Sequence, residues 1–299
     1  MIVYLYSLMV DTVCMGVGIT SKELFHQLLA ELKKWAYEGK VPGIKLQHVP
    51  MTNYISSITY SVGKRQIGRV EVGCTKSSTY YVRVIQQPGQ ATYEQLCAFR
   101  EQLDFFMPFL AYEKLYKSAP ITRIDLAADI TGHHYRELIP HRPKVHKSEL
   151  WSSSTKVGGI YLGGKNSKLR FCIYDRKKKM ARKLGEIVKH KNLTRIEARV
   201  RGTGLTAEAL TYAMPNPFES LQIALLKKAQ KIDPHLLWWQ KFLEQAVLHG
   251  SAAALSGLSD KLKTDARMRL TQAKAHWWNP SALWAGRDKS LGMLVPNWD

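Results

Sequence analysis

The sequence predicts an α+β protein: an antiparallel-rich sheet core with helices on one face, followed by a helical C-terminal subdomain. Three observations carry this. Apolar and polar residues alternate with period two between about residues 53 and 85 and again after Pro120, the signature of half-buried strands. Apolar residues three and four apart fill the stretches around them, as on the inner face of a helix. With 299 residues, 45% of them hydrophobic, the chain can bury one large or two modest cores.

Taken in order, MIVYLYSLMV is apolar but follows no positive charge and is interrupted by Asp11, so it reads as a buried first strand and neither a signal peptide nor a membrane span. TSKE, Thr20 to Glu23, is a capping box that opens a helix over roughly residues 21 to 37, where Leu24, Leu28, Leu29 and Leu32 recur at helical spacing. YISSITYSV, QIGRVEV and TYYVRVI are strands, and the VGKR and CTKSS between them are turns of an antiparallel meander. ATYEQLCAFREQLDFFMPFLAYEKLY is helical up to Lys117, kinked or broken at Pro108.

ITRIDLAADI, KLRFCIYD and LTRIEARVR then alternate strictly. Ile124, Leu126, Ala128 and Ile130 oppose Arg123, Asp125 and Asp129. Leu169, Phe171 and Ile173 oppose Arg170 and Tyr174, and Ile196, Ala198 and Val200 oppose Arg195, Glu197, Arg199 and Arg201. If the three pair, their polar face collects three carboxylates, several arginines and one tyrosine. From Thr206 the pattern is helical again: ESLQIALLKKAQK, then DPHLLWWQKFLEQAVL with Asp233 as cap and Pro234 at the first helical position, then DKLKTDARMRLTQAKAHWW. The last fifteen residues read as a tail. The expected division is a core over 1–205, with halves 1–118 and 119–205, and a helical subdomain over 206–299. No internal repeat is evident.

Forty-four Lys and Arg against 24 Asp and Glu give a net charge of +20 and a pI near 9.8, which calls for a polyanionic partner, nucleic acid above all, and for no membrane. Cys14, Cys74, Cys97 and Cys172 have neither disulfide-framework nor zinc-ribbon spacing, and a reducing cytoplasm suits them. Phosphodiester chemistry needs an in-line nucleophile, cations for the nonbridging oxygens and, commonly, a divalent metal on carboxylates. Tyr174 offers the hydroxyl and Asp125, Asp129 and Glu197 the hard oxygen ligands that Mg²⁺ or Mn²⁺ prefers. Arg170, Arg176, Lys177, Lys178 and Lys179 supply a positive field that favours the phenolate.

The order RIDLAAD, GGIYLGGKNSKLRFCIYDRKKK, TRIEARVRG resembles the rolling-circle replication initiators of filamentous phages (gene II protein type) and of the Rep_trans plasmid group, over roughly residues 100 to 205. The resemblance implies that Tyr174 attacks one strand at a phage or plasmid origin, becomes linked to the 5′ phosphate and frees a 3′ hydroxyl that primes synthesis. It implies that Asp125 and Glu197 bind the metal, with Asp129 a less uniform third acid. Arg176 stands where the family often has Lys; a guanidinium is the poorer proton donor but serves as a phosphate clamp. The implied partner is origin DNA, single- and double-stranded, in the host cytoplasm. A host helicase on the C-terminal helices and a homodimer are both compatible with it.

Blander readings stand beside these. The acids could pair with Arg123, Arg195 and Arg199 as a cross-strand ion-pair ladder, and Tyr174 could simply pack. The protein would then be a non-catalytic DNA binder, a repressor or single-strand coat. Tyr161 is the rival tyrosine on the same hairpin. Arg182 and Lys183 extend the basic run that begins at Arg176, which is either a solvated helix face or, as favoured here, a contact to backbone phosphates together with Arg195 and Arg199. GIYLGGKN lacks the hydroxyl residue and the following helix of an ATP-binding loop and reads as a hairpin turn. His133, His134, His141 and His146 read as loop residues, and Trp238, Trp239, Trp277 and Trp278 as helical core.

Overall fold

The computed structural model of the chain describes residues 7–39, 44–48, 56–74, 79–143, 145, 147–153, 156–185 and 192–296. It is α+β, as the two periodicities predict. β1 (Leu8–Ile19) leads through α1 (Lys22–Glu38) to β2 (Ile44–His48), β3 (Ser56–Val62), β4 (Arg65–Cys74) and β5 (Tyr80–Gln86). α2 (Tyr93–Phe106) and α3 (Tyr112–Ser118) precede β6 (Ile121–Thr131), β7 (Leu138–His141), β8 (Ser148–Ser153), β9 (Lys156–Leu162) and β10 (Leu169–Asp175). α4 (Arg176–Leu184), β11 (Leu193–Arg201), α5 (Ala207–Ala213), β12 (Gln222–Leu225), α6 (Leu226–Ala229), α7 (Leu237–His249), α8 (Ser251–Ser256) and α9 (Asp260–Gln272) follow, then α10 (Pro280–Trp284) and α11 (Arg287–Leu291). No helix among the described residues is long and apolar enough to cross a membrane.

The chain forms two compact units, each assembled from separate stretches. An N-terminal unit takes Met9–Leu126, Arg201–Pro215 and Arg287–Asp299, and a central unit takes Met1–Leu8, Ala127–Val200 and Asn216–Gly286.

In the N-terminal unit α1 forms because its apolar residues share one face: Phe25, Leu28, Leu32 and Trp35 are buried. Its cap is Ser21, one residue later than the sequence suggested, with the hydroxyl accepting from the Leu24 N–H at 3.2 Å. Trp35 stacks on Phe106 of α2 at 5.8 Å. α2 opens with a capping box between Thr92 and Gln95 and ends at Phe106, because Pro108 cannot continue it. The sheet runs β2-β3-β4-β5-β1, and Thr122 at the start of β6 donates to the Cys14 carbonyl at 3.1 Å. The expected tail is docked instead. Buried Arg100 donates to the Met293 and Val295 carbonyls, and Tyr112 to that of Leu294, which gives these backbone oxygens internal partners.

In the central unit the order is β6-β11-β10-β9-β8, and a separate pair joins β12 to β7. β12 falls in a stretch whose spacing suggested a helix; four apolar residues in a row are compatible with either period, and pairing with β7 decides it. Asp233 is not a helix cap. It adopts φ 44°, the helix starts four residues later at Leu237, and the carboxylate pairs with Arg269. Trp239 anchors a core with Phe242, Leu243, Leu255 and Leu270. Trp277 and Trp278 are buried but lie beyond the end of α9, not in a helix.

The two sheet orders are the same arrangement. In each unit a first strand is followed by a four-strand meander whose last strand returns beside the first, an order of 1-5-4-3-2. A repeat that leaves no trace in the residues is therefore present in the topology.

Candidate active site

β10 pairs antiparallel with β11, matching Tyr174 to Arg195, Cys172 to Glu197 and Arg170 to Arg199, while on its other side Tyr174 meets Gly159 and Cys172 meets Tyr161 of β9. Directly paired residues project to the same face of a sheet. Tyr174, Glu197, Arg199 and Arg170 thus share one face, as the alternation predicted, and Tyr161 joins them there. Phe171, Ile173, Ile196 and Ala198 on the other are fully buried.

Tyr174 is 8% exposed and packs on Cys172 and Tyr161. Its hydroxyl donates to Glu197 Oε2 at 3.3 Å and accepts from Lys179 Nζ at 2.7 Å, with the ammonium 4.3 Å from the ring centroid. Buried Glu197 accepts from Arg199 through its other oxygen at 2.8 Å. The phenol proton is aimed at a carboxylate while a cation covers the oxygen that would become negative. Gly159 makes room for this: a Cβ there would lie 3.0 Å from the Ile173 carbonyl oxygen and 3.1 Å from the Tyr174 Cβ.

α4 starts immediately after this strand, capped by Asp175, whose Oδ1 accepts from the Lys178 N–H at 2.9 Å, and ends at Gly185 with φ 72°. Four successive cations, Arg176 to Lys179, fill its first turn, where the helix macrodipole is itself positive. One turn of helix brings Lys179 back onto Tyr174. Arg176 is 9% exposed, its Nε has no hydrogen-bond partner, and no carboxylate pairs with it among the described residues. A buried guanidinium without a counter-charge is costly, and a phosphate would remove the cost.

The remaining residues singled out in the sequence divide. Lys178 and Arg182 are exposed and Lys177 half-buried, while the Lys183 side chain lies outside the described residues. Arg170 donates to Glu149 at 3.3 Å and covers the Tyr161 ring at 4.2 Å. Arg195, expected on DNA, is 1% exposed, with both arms on Asp129 at 2.6 and 2.7 Å. Asp125 belongs to the N-terminal unit and is buried against Arg123. Of the histidines, His141 is a buried β7 residue whose imidazole pKa burial pushes down, and His146 lies outside the described residues. GIYLGG ends in a hairpin turn, with Gly163 at φ 95°.

A divalent cation needs several oxygen ligands converging on one point. Among the described residues no group of three or more His, Cys, Asp or Glu side chains does so, and Asp125, Asp129 and Glu197 each hold an arginine. As arranged, these acids do not fit Mg²⁺ or Mn²⁺. Each acid holds the arginine that the ion-pair reading named for it, Asp129 across strands and Asp125 and Glu197 along their own strand; Glu197 takes the phenol as well.

The topological repeat isolates what is special here. Counting back from the last pair of each hairpin, Tyr174 corresponds to Gly73, Glu197 to Arg83 and Cys172 to Glu71. In the N-terminal unit buried Glu71 is neutralised by Arg83 at 2.6 Å and Arg69 at 3.3 Å, and Gly73 stands where the central unit has Tyr174, with Tyr81 paired opposite it. Where the central unit inserts α4, only residues 75–79 join the strands. Of the formal charges, 27 Lys and Arg against 11 Asp and Glu lie in the central unit, and 17 against 13 in the N-terminal one. The hydroxyl and most of the excess positive charge belong to the same unit. The sequence reading named Lys179 only as one of five cations around the phenol and did not name Gly159; the spacing of five from Tyr174 singles Lys179 out only once α4 is known to begin at Arg176.

No protein-family model and no curated protein matches the chain. Among solved structures, it is similar to a rolling-circle replication initiator protein from Geobacillus stearothermophilus, at 12% identity and a TM-score of 0.40, over 82% of this chain and 98% of that one. At that similarity what this chain does rests on its own side chains.

Proposed function

We propose that the protein is a replication initiator that nicks and rejoins DNA through Tyr174, starting rolling-circle replication of a phage or plasmid. The observation that carries this is the Tyr174 hydroxyl held between the Glu197 carboxylate and the Lys179 ammonium. In the nicking step the phenol oxygen forms a bond to phosphorus as the bond to the 3′ oxygen breaks. The phenol proton passes to Glu197 and the departing 3′ oxygen takes up a proton. One phosphodiester replaces another, so the 5′-phosphotyrosine conserves the bond energy for rejoining without ATP. Lys179 offsets charge on the phenol oxygen, Arg176 takes a phosphate of the bound strand, and exposed Lys178 and Arg182 with Lys177 hold its backbone. Arg170 and Arg199 complete the positive surround.

The test is a denaturation-resistant protein–DNA adduct on circular single-stranded DNA, with Mg²⁺, Mn²⁺ or chelator, followed by mapping of the modified peptide. An adduct on the peptide that contains Tyr174 supports the proposal. An adduct on another residue, or none on DNA carrying the native origin, overturns it. The second outcome would favour the non-catalytic binder, which the arginine forks on Asp125 and Asp129 support.

Two further results are expected. Lys179→Met removes the ammonium that donates to the phenol oxygen and should slow adduct formation at saturating DNA by about a hundredfold. Gly159→Ala should cost about 1–3 kcal/mol through overpacking, and its adduct rate should fall with the fold intact, because the intruding methyl pushes on Tyr174 itself. A melting curve beside the rate separates the two effects.

A further inference from the structure

A second site lies where β10 turns into α4. His134, Tyr135 and Arg136 from the turn after β6, Gly158 of β9, and Asp175 and Lys178 line a cavity of about 190 Å³, with room for one planar heterocycle. It opens at the end of β10, one residue beyond Tyr174, where strand alternation turns Asp175 to the opposite side of the sheet from the phenol, so a bound strand must pass this end of the sheet to reach both. Its chemistry is mixed. Tyr135 is buried at 4% and His134 lies against it, ring centroids 4.6 Å apart, so an aromatic wall is present. Arg136 and Lys178 bring donors. Asp175 brings a carboxylate that already caps α4 and lies 3.7 Å from His134 Nε2.

A bare phosphate suits this cavity poorly, since the Asp175 carboxylate would oppose it. An unpaired base suits it well: aromatic walls stack splayed bases, and carboxylates accept from base N–H groups. Resting on the reading of Tyr174 as the nucleophile, we infer that this cavity holds the nucleobase next to the scissile phosphate and that its ligand is guanine. Guanine offers two adjacent donors, N1–H and the N2 amino group, to Asp175, and O6 and N7 as acceptors to Arg136. The cavity then sets which joint in the strand is cut, a choice that the phosphate contacts of α4 cannot make.

The experiment uses the full chain and oligonucleotides in which guanine, inosine, adenine or an abasic site occupies each position flanking the mapped joint. At one flank the wild type should form adduct about tenfold faster with guanine than with inosine, which lacks the N2 amino group, and slower still on the abasic strand. Asp175→Asn keeps a good helix cap and should abolish the guanine-over-inosine preference. His134→Ala and Arg136→Ala, both in the turn after β6, should compress the preference among all four while leaving the abasic rate unchanged. Equal rates for all bases in the wild type, or variants that slow every oligonucleotide by one factor, overturn the inference. Should no adduct form on any DNA, the nuclease reading fails by itself; the same oligonucleotides then go to fluorescence anisotropy. A guanine preference in affinity that Asp175→Asn removes would sustain the cavity, and its absence would sink it.

Discussion

Tyr174→Phe is expected to abolish the covalent adduct completely while leaving DNA binding and the fold nearly unchanged. The hydroxyl is the sole bond-forming atom proposed, and nothing in phenylalanine replaces it. Its loss frees one lone pair of Glu197 and one proton of Lys179, a destabilisation of about 1 kcal/mol that a melting curve will resolve. Tyr161→Phe is the control. Burial pushes the Tyr161 phenol up, away from phenolate, and the Arg170 guanidinium sits over its ring, so its removal should leave the adduct yield intact. If Tyr174→Phe still forms adduct and Tyr161→Phe does not, the nucleophile is the other tyrosine of the hairpin.

The second large effect has opposite signs in the free and bound states. Arg176→Met removes a buried guanidinium that no carboxylate among the described residues neutralises, and keeps an unbranched side chain of similar reach. The free protein should become more stable by about 1–3 kcal/mol, seen as a rise of several degrees in Tm. DNA binding should weaken, and the slope of log K against log salt on a single strand should become shallower by about 0.7, the loss of one phosphate contact. Wild-type stability should correspondingly rise on adding DNA by more than that of the variant. A variant that loses stability, or keeps the wild-type salt slope, would place the counter-charge of Arg176 inside the protein.

The polar face around Tyr174 was legible because strand alternation is a local property: Arg170, Cys172 and Tyr174 on one strand and Arg195, Glu197 and Arg199 on the next must share a face once the strands pair in this register. Which of those residues would remain available was not legible. Arg195 and Arg199 are alike in sequence, yet the first is sealed against Asp129 and the second stays partly exposed on Glu197, a difference set by the strand on either side. The same holds for QIALL, where a short apolar run carries no period and a partner strand settles the matter.

Composition and periodicity by themselves determined the α+β class, the breaks at Pro108 and after Pro120, the net charge of +20 and the one tyrosine set before a basic run. These are fixed by charge, by backbone sterics and by side-chain spacing within a few residues. Tertiary structure alone decided that Lys179 reaches the phenol, that Asp125 and Asp129 are held by arginines, that Arg176 is buried with no carboxylate on it among the described residues, and that the chain contains one five-strand arrangement twice, with Gly73 in one copy where the other has Tyr174. Those depend on which distant strands become neighbours, and burial, which sets the worth of every charge here, exists only after they have done so.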